Sequence, residues 1–302
     1  MTGSGRSAGP RESRTPRVVV LGDLMADVVA AHDGPIAPGS DTAARIELRP
    51  GGSAANVAAW LARTGAQVTL IGRVGTDAAA EVALGGLDGV ELRVTRDPER
   101  RTGTCVVLVA PGGERTMLPD PGANDALSIG DVPEDVFTGG VLHVSGYALL
   151  RHGPRAAALT AMDRARDAGM KISVDPASAA PLANDPVFLD RITPIDLLLP
   201  NEDEVEVLGR QLNVPEIVIT RGARGSTWTD GFERVEERAM PADVVDTTGA
   251  GDAYAAGFLY GYTQGYDLAA SGRLGGAMAA HVISHYGGRP QGDMKALAAK
   301  VL

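Results

Sequence analysis

The sequence predicts an α/β domain with a doubly wound, mainly parallel sheet and a small β-sheet lid. Three observations carry this expectation. From residue 141 onward, short apolar runs alternate with helical segments, the pattern of a parallel sheet covered on both faces. The first apolar run, Val18-Val19-Val20-Leu21, is apolar at every position, as a strand buried on both faces requires. Two stretches, at about 30–50 and 90–119, instead alternate apolar and polar residues between Gly and Pro punctuation. They fit small antiparallel insertions projecting from the sheet.

In chain order, residues 1–16 hold Gly, Ser, Arg and Pro without an apolar core. They read as a disordered tail, neither signal peptide nor anchor, leaving 17–302 as the folded domain. After the first strand, Leu24-Met25-Ala26-Asp27 leaves its carboxyl end, where open α/β sheets bind ligands. Asp27 there has the lone pairs to accept two neighbouring hydroxyls, and a solvated turn Asp explains it equally well. Residues 44–49 alternate as a half-exposed strand. In Gly51-Gly52-Ser53-Ala54-Ala55-Asn56, paired glycines permit a close backbone approach before an Ala-rich helix. Asn56 is polar among Ala and Val and needs a partner if buried. The helix ends near Thr64-Gly65; residues 67–72 form a strand, and Gly75-Thr76-Asp77 a turn before a helix.

The second insertion contains Cys105 in a strand pattern and a Pro111-Gly112-Gly113 hairpin. Cys105 reads as a small buried hydrophobe. Residues 141–146, 170–175, 196–201 and 216–220 then read as strands, with a helix at 154–168. His143 lies in one strand without an evident partner and reads as structural; Asp175 ends another. Asn201-Glu202-Asp203-Glu204 is an acidic first helical turn, favoured by the helix dipole. In Thr220-Arg221-Gly222-Ala223-Arg224-Gly225, two glycines three apart give a backbone able to approach phosphate. Arg221 is either a phosphate neutraliser or a surface residue. Residues 275–284 form an Ala-rich helix closed by His285-Tyr286-Gly287-Gly288-Arg289-Pro290.

The chemistry concentrates in Asp246-Thr247-Thr248-Gly249-Ala250-Gly251-Asp252. A Gly249-Ala250-Gly251 turn opening a helix exposes backbone N–H groups at the positive end of the helix dipole, an anion site suited to phosphate oxygens. Asp252 would repel that phosphate unless its task is to take a proton from an attacking hydroxyl. A capped helix start is the bland alternative.

This run, together with Gly51-Gly52-x-x-x-Asn56, resembles the ribokinase-like (PfkB) carbohydrate kinase family, and the likeness extends over about residues 17–290. The resemblance implies ATP-dependent phosphorylation of a primary hydroxyl on a sugar or sugar derivative. It makes Asp252 the general base and Gly249, Ala250 and Gly251 the anion hole. Asp27, Gly51, Gly52 and Asn56 would hold substrate, and the insertions would form a lid, which Pro121-Gly122-Ala123-Asn124 follows. Asn201, Thr220, Gly222 and Gly225 would bind nucleotide. Glu204 would hold Mg²⁺ through water, and Asp246 and Thr248 a monovalent cation such as K⁺. Met25 stands where ribokinase-type members often carry Asn, and the 285–290 ending is similar to some bacterial nucleoside kinases. A ribonucleoside kinase is therefore the second reading. A catalytically silent sugar-binding regulatory protein is a third, which the intact Asp252 disfavours. Dimerisation through the lid, common among relatives, is compatible with its exposed strand edges.

Composition sets outer bounds. The chain has 302 residues, 44% hydrophobic and 22% charged, with net charge −10. No basic face dominates, which argues against a nucleic-acid partner. No stretch reads as a membrane span, and one cysteine excludes an internal disulfide. A cytoplasmic setting is the default expectation. No Gly-x-Gly-x-x-Gly follows the first strand, against a dinucleotide-binding enzyme.

Overall fold

The computed structural model describes Thr15 and residues 17–111, 115–209 and 212–302. Apart from Thr15, the expected tail lies outside the described residues, as do Gly112 and Gly113 of the expected hairpin. The strands are β1 (Arg17–Leu21), β2 (Met25–His32), β3 (Ala44–Gly51), β4 (Gln67–Gly75), β5 (Val90–Asp97), β6 (Gly103–Val109) and β7 (Arg115–Asp120). They continue with β8 (Val141–Ser145), β9 (Lys171–Asp175), β10 (Leu197–Leu198), β11 (Glu216–Thr220), β12 (Ser226–Thr229) and β13 (Arg234–Glu237). The helices are α1 (Ser53–Thr64), α2 (Ala78–Ala83), α3 (Gly146–Leu150), α4 (His152–Asp167) and α5 (Ala179–Leu182). Then come α6 (Phe188–Ile192), α7 (Glu202–Leu208), α8 (Ala250–Gln264), α9 (Leu268–Ile283) and α10 (Met294–Val301).

Nine strands form one sheet in the order β13-β12-β11-β10-β9-β8-β1-β4-β5. All its pairings are parallel except β11–β12 and β12–β13. Helices cover both faces, and β1 shows why its residues are apolar throughout. Val18 and Val20 join a core with Trp60 and Phe258, while Val19 and Leu21 join the core of Met162 and Phe188. Successive side chains enter opposite faces, so neither set faces water.

The second sheet has the order β3-β2-β6-β7 and is the lid. It differs from expectation in three ways. It starts at Met25 rather than near residue 30, so Asp27 sits within β2, opposite Arg49 on β3 and Cys105 on β6. Residues 90–97 do not belong to it: β5 is the edge of the large sheet, parallel to β4. Its central pair, β2 and β6, is parallel rather than antiparallel. The reason is topological. β1 runs on into β2, and β5 into β6, so both lid strands leave the large sheet travelling in the same direction. Asn124 pins the first of these crossings. Its Oδ1 accepts from the Leu24 N–H at 3.0 Å, and its Nδ2 donates to Leu24 O at 2.9 Å. No helix among the described residues is long and apolar enough to cross a membrane.

Candidate active site

The two sheets face each other across a cavity of about 840 Å³ that takes in most of the residues singled out above. Gly249 has φ +73 in the left-handed region and ends the approach to α8. A Cβ there would lie 2.6 Å from the Gly288 Cα, so glycine is required on two grounds. The turn leaves the amides of Gly249, Gly251 and Asp252 without an acceptor among the described residues. That is the anion-binding arrangement of a helix start.

Asp252 follows in the first turn of α8. Its Oδ1 accepts from Ser53 Oγ at 2.8 Å and its Oδ2 from Asn56 Nδ2 at 2.7 Å. Both donors stand on α1, in a segment whose backbone Asp23 fixes. Asp23 Oδ2 accepts from the Ser53 N–H at 2.9 Å, and its Oδ1 from Ser145 Oγ at 2.9 Å. Burial pushes the Asp252 carboxyl up to about 6, with Asp23 adding to the rise, while the Asn56 and Ser53 hydrogen bonds and Arg289 oppose it. A carboxylate tuned toward neutrality is suited to accept a proton near physiological pH.

Asp27 is also raised to about 6, first by burial and then by the charge of Asp23, with Asp252 contributing and Arg289 opposing. No donor among the described residues bonds its carboxylate, which lies against the Gly51 backbone. A Cβ at Gly51 would run into that carboxylate, and one at Gly52, where φ is +90, would lie 2.5 Å from Asp23 O. The paired glycines are therefore the space in which the two aspartates fit.

Asn201 and Glu204 form a reciprocal cap at the start of α7. Asn201 Oδ1 accepts from the Glu204 N–H at 2.9 Å, and the Asn201 N–H and Nδ2 donate to Glu204 at 2.8 Å each. Glu204 is buried, and burial raises its pKa. Asp175, at the end of β9, lines the cavity with it and is raised well above the carboxylate range by burial and by Glu204. A buried carboxylate, Glu204, and a half-buried one beside it, Asp175, suit a hard, partly hydrated divalent cation such as Mg²⁺.

Thr220 lines the cavity, whereas Gly222 and Gly225 do not. Gly225 answers a packing need: a Cβ there would run into Glu237 O at the end of β13. Arg221 bonds its own hairpin, donating to Ser226 O at 3.3 Å. Asp246 and Thr248, expected to hold a monovalent cation, hold a guanidinium instead: Arg115 Nη1 lies 3.0 Å from Asp246 Oδ1 and also bonds Thr248 Oγ1. His143 is fully buried against Ser173 Oγ at 3.1 Å, and burial lowers its pKa to about 4. Cys105 is buried, as expected, and burial raises its thiol to about 11.

Sequence reasoning gave no role to Asp23, Ser53, Asp175, Arg115 or Arg289. Arg289 is the least visible of them. Its Nη2 donates to Ala83 O at 3.1 Å, while its buried Nε and Nη1 have no acceptor among the described residues. Burial lowers its pKa to about 10, against the pull of Asp252, Asp27 and Asp23.

A parallel sheet with a β lid, an amide-lined helix start and a held carboxylate beside it define a phosphotransferase that acts on an alcohol group. Residues 15–293 match the pfkB family carbohydrate kinases, and the chain belongs to that family. An uncharacterized sugar kinase from Archaeoglobus fulgidus is 30% identical over 246 residues, 76% of this chain and 96% of that protein. The crystal structure of a probable sugar kinase from Rhizobium etli superposes with a TM-score of 0.87 at 26% identity, covering 95% of this chain and 99% of that one. Adenosine kinase from Sinorhizobium meliloti superposes with a TM-score of 0.83 at 26% identity, covering 96% and 100%.

Proposed function

We propose that this chain transfers the γ-phosphoryl group of ATP to a primary hydroxyl of a sugar or sugar derivative, with Asp252 as the base. One observation carries the reading: the Asp252 carboxylate, held by Ser53 and Asn56, lies beside the open amides of Gly249 and Gly251, in the cavity that Asp27 also lines. Asp27 accepts hydrogen bonds from substrate hydroxyls. Gly51 and Gly52 give that carboxylate its room, and Asn56 fixes Asp252 and reaches the same space. Asp252 takes the proton from the attacking hydroxyl as the new O–P bond forms. The amides of Gly249 and Gly251 stabilise the charge on the transferred group, whereas the Ala250 N–H, expected beside them, donates to Thr247 O at 3.4 Å. Glu204, through water, and Asp175 would hold Mg²⁺, which neutralises phosphate charge. Asn201 and Thr220 line the nucleotide end. The exposed Ile46, Leu48 and Leu118 support a homodimer formed through the lid.

A ribonucleoside is the second reading, and Met25 favours it. Buried at 8% exposure, it shares the cavity wall with Met117, Leu127 and Leu150, an apolar surface that a base could cover. The likeness to the adenosine kinase points the same way. A panel of sugars and ribonucleosides, scored by ADP release with Mg²⁺ and ATP, tests both. The expected result is release stimulated by at least one acceptor with a free hydroxymethyl group. Stimulation by none would favour a silent binding protein.

A further inference from the structure

One side chain of the lid reaches the phosphate-side turn. Arg115 opens β7, at the tip of the β6–β7 hairpin, and its guanidinium lies against three successive residues. Nη1 donates to Asp246 Oδ1 at 3.0 Å and to Thr248 Oγ1, and Nη2 donates to Thr247 Oγ1. The ion pair is largely shielded, with Arg115 20% and Asp246 17% exposed. Asp246 has little left to offer. Its Oδ1 also accepts from the Thr248 N–H at 2.9 Å and Oγ1 at 2.6 Å, and its Oδ2 from the Gly287 N–H at 2.8 Å. Gly287 precedes Gly288, the residue packed against Gly249. Asp246 thus ties together the lid tip, the amide-lined turn and the 285–290 segment.

The family resemblance implies a monovalent cation held by Asp246 and Thr248. The donor set does not fit one. Such an ion needs several oxygens with lone pairs turned toward it, but the Thr248 hydroxyl donates into Asp246, the Oδ1 of Asp246 already accepts from three donors, and a positive charge already stands at 3.0 Å. A second cation there would meet like-charge repulsion in a shielded place.

We propose that Arg115 is a built-in cation that latches the lid tip to the Asp246-Thr247-Thr248 turn in place of a bound monovalent ion. The ordering of the anion turn then follows lid closure rather than K⁺ concentration. Its consequence for turnover rests on the kinase reading, but the latch does not. Arg115 acts through Asp246 and is a positioning residue.

The test compares wild type, Arg115→Ala and Arg115→Lys in KCl and in choline chloride at matched ionic strength. It reads hydrogen exchange of a peptide spanning 244–252 and the melting temperature, neither of which needs a substrate. Wild type should behave alike in both salts. Arg115→Ala should exchange about tenfold faster in choline chloride, as a locally released segment does, and K⁺ should restore both its exchange and its melting temperature. Arg115→Lys keeps the charge and loses the fork; it should stay insensitive to K⁺. A K⁺-specific rise in the wild-type melting temperature overturns the proposal. So does unchanged exchange in Arg115→Ala, or failure of K⁺ to restore it. Absence of ADP release with every acceptor, alongside the expected exchange results, would sink the kinase reading and leave the latch standing.

Discussion

Replacing Asp252 by Asn separates catalysis from stability and so tests the assignment twice. The amide keeps the shape and can still accept from Ser53, but it cannot take a proton from a hydroxyl. Acid–base assistance is worth on the order of 10²–10⁴-fold, so turnover should fall at least about a hundredfold, roughly 3 kcal/mol of barrier. ATP affinity should change by less than about twofold, because the carboxylate contributes no attraction for phosphate. Stability should move the other way. The Asp252 pKa is raised from 3.8 to about 6, so the folded state holds the proton more tightly than the unfolded chain. The resulting penalty is absent below the unfolded value, grows as pH rises toward 6, and is constant above it. Its ceiling is about 3 kcal/mol, since a tenfold difference in proton affinity between the two states corresponds to about 1.36 kcal/mol. Removing the charge should then raise the melting temperature by a few degrees at neutral pH and by little near pH 4. In wild type, kcat/KM should fall on the acid side with an apparent pKa near 6, a limb that Asp252 shares with Asp27. ADP-release kinetics, ATP titration and thermal melts at two pH values suffice. A folded Asp252→Asn protein with turnover within about tenfold of wild type would refute the base assignment.

Gly249→Ala should cost about 2 kcal/mol or more in a urea melt, from the left-handed backbone and from a Cβ placed against Gly288; turnover should fall even in the fraction that remains folded. Gly51→Ala should push the Asp27 carboxylate out of its slot. The expected result is an acceptor KM raised about tenfold with the ATP KM unchanged, since only the acceptor end is disturbed. Equal changes in both KM values would point to a general loosening.

How much of this was legible follows from where each residue's partners lie. β1 could be read because burial on both faces leaves an unbroken apolar run. The lid boundary could not, because the alternation of Val90-Glu91-Leu92-Arg93-Val94 suits an edge strand of either sheet and says nothing of its partner. The β2 strand was hidden by Ala26, Ala30 and Ala31, which carry little strand preference. Asp252, Asn56 and the glycine turn were visible as fixed short spacings. Asp23 was not: its partners Ser53 and Ser145 lie 30 and 122 residues away. Arg115 bonds Asp246 across 131 residues, and no local pattern encodes such a contact. Asp246 and Thr248 show the same limit, since the family resemblance implied an ion site there and gave no sign of the distant arginine that bonds both.

The donors around each aspartate separate the roles that the sequence left open. Asp23 and Asp246 are surrounded by backbone and hydroxyl donors, Asp246 by an arginine as well, and both tie chain segments together. Asp252 has one donor on each oxygen, enough to orient it while leaving lone pairs toward the cavity. Asp27 has no donor among the described residues, yet its pKa is raised chiefly by burial. A shielded carboxylate without hydrogen bonds is unfavourable unless something else supplies them. Arg289 lends it charge without a hydrogen bond. The Asp27 oxygens are not among the buried unpaired atoms, so water can reach them; on the kinase reading proposed above, a molecule offering two adjacent hydroxyls would replace that water. Its third hydroxyl would be left to Asp252, which is how an anchoring acid and a reacting acid can share one cavity without competing for the same group.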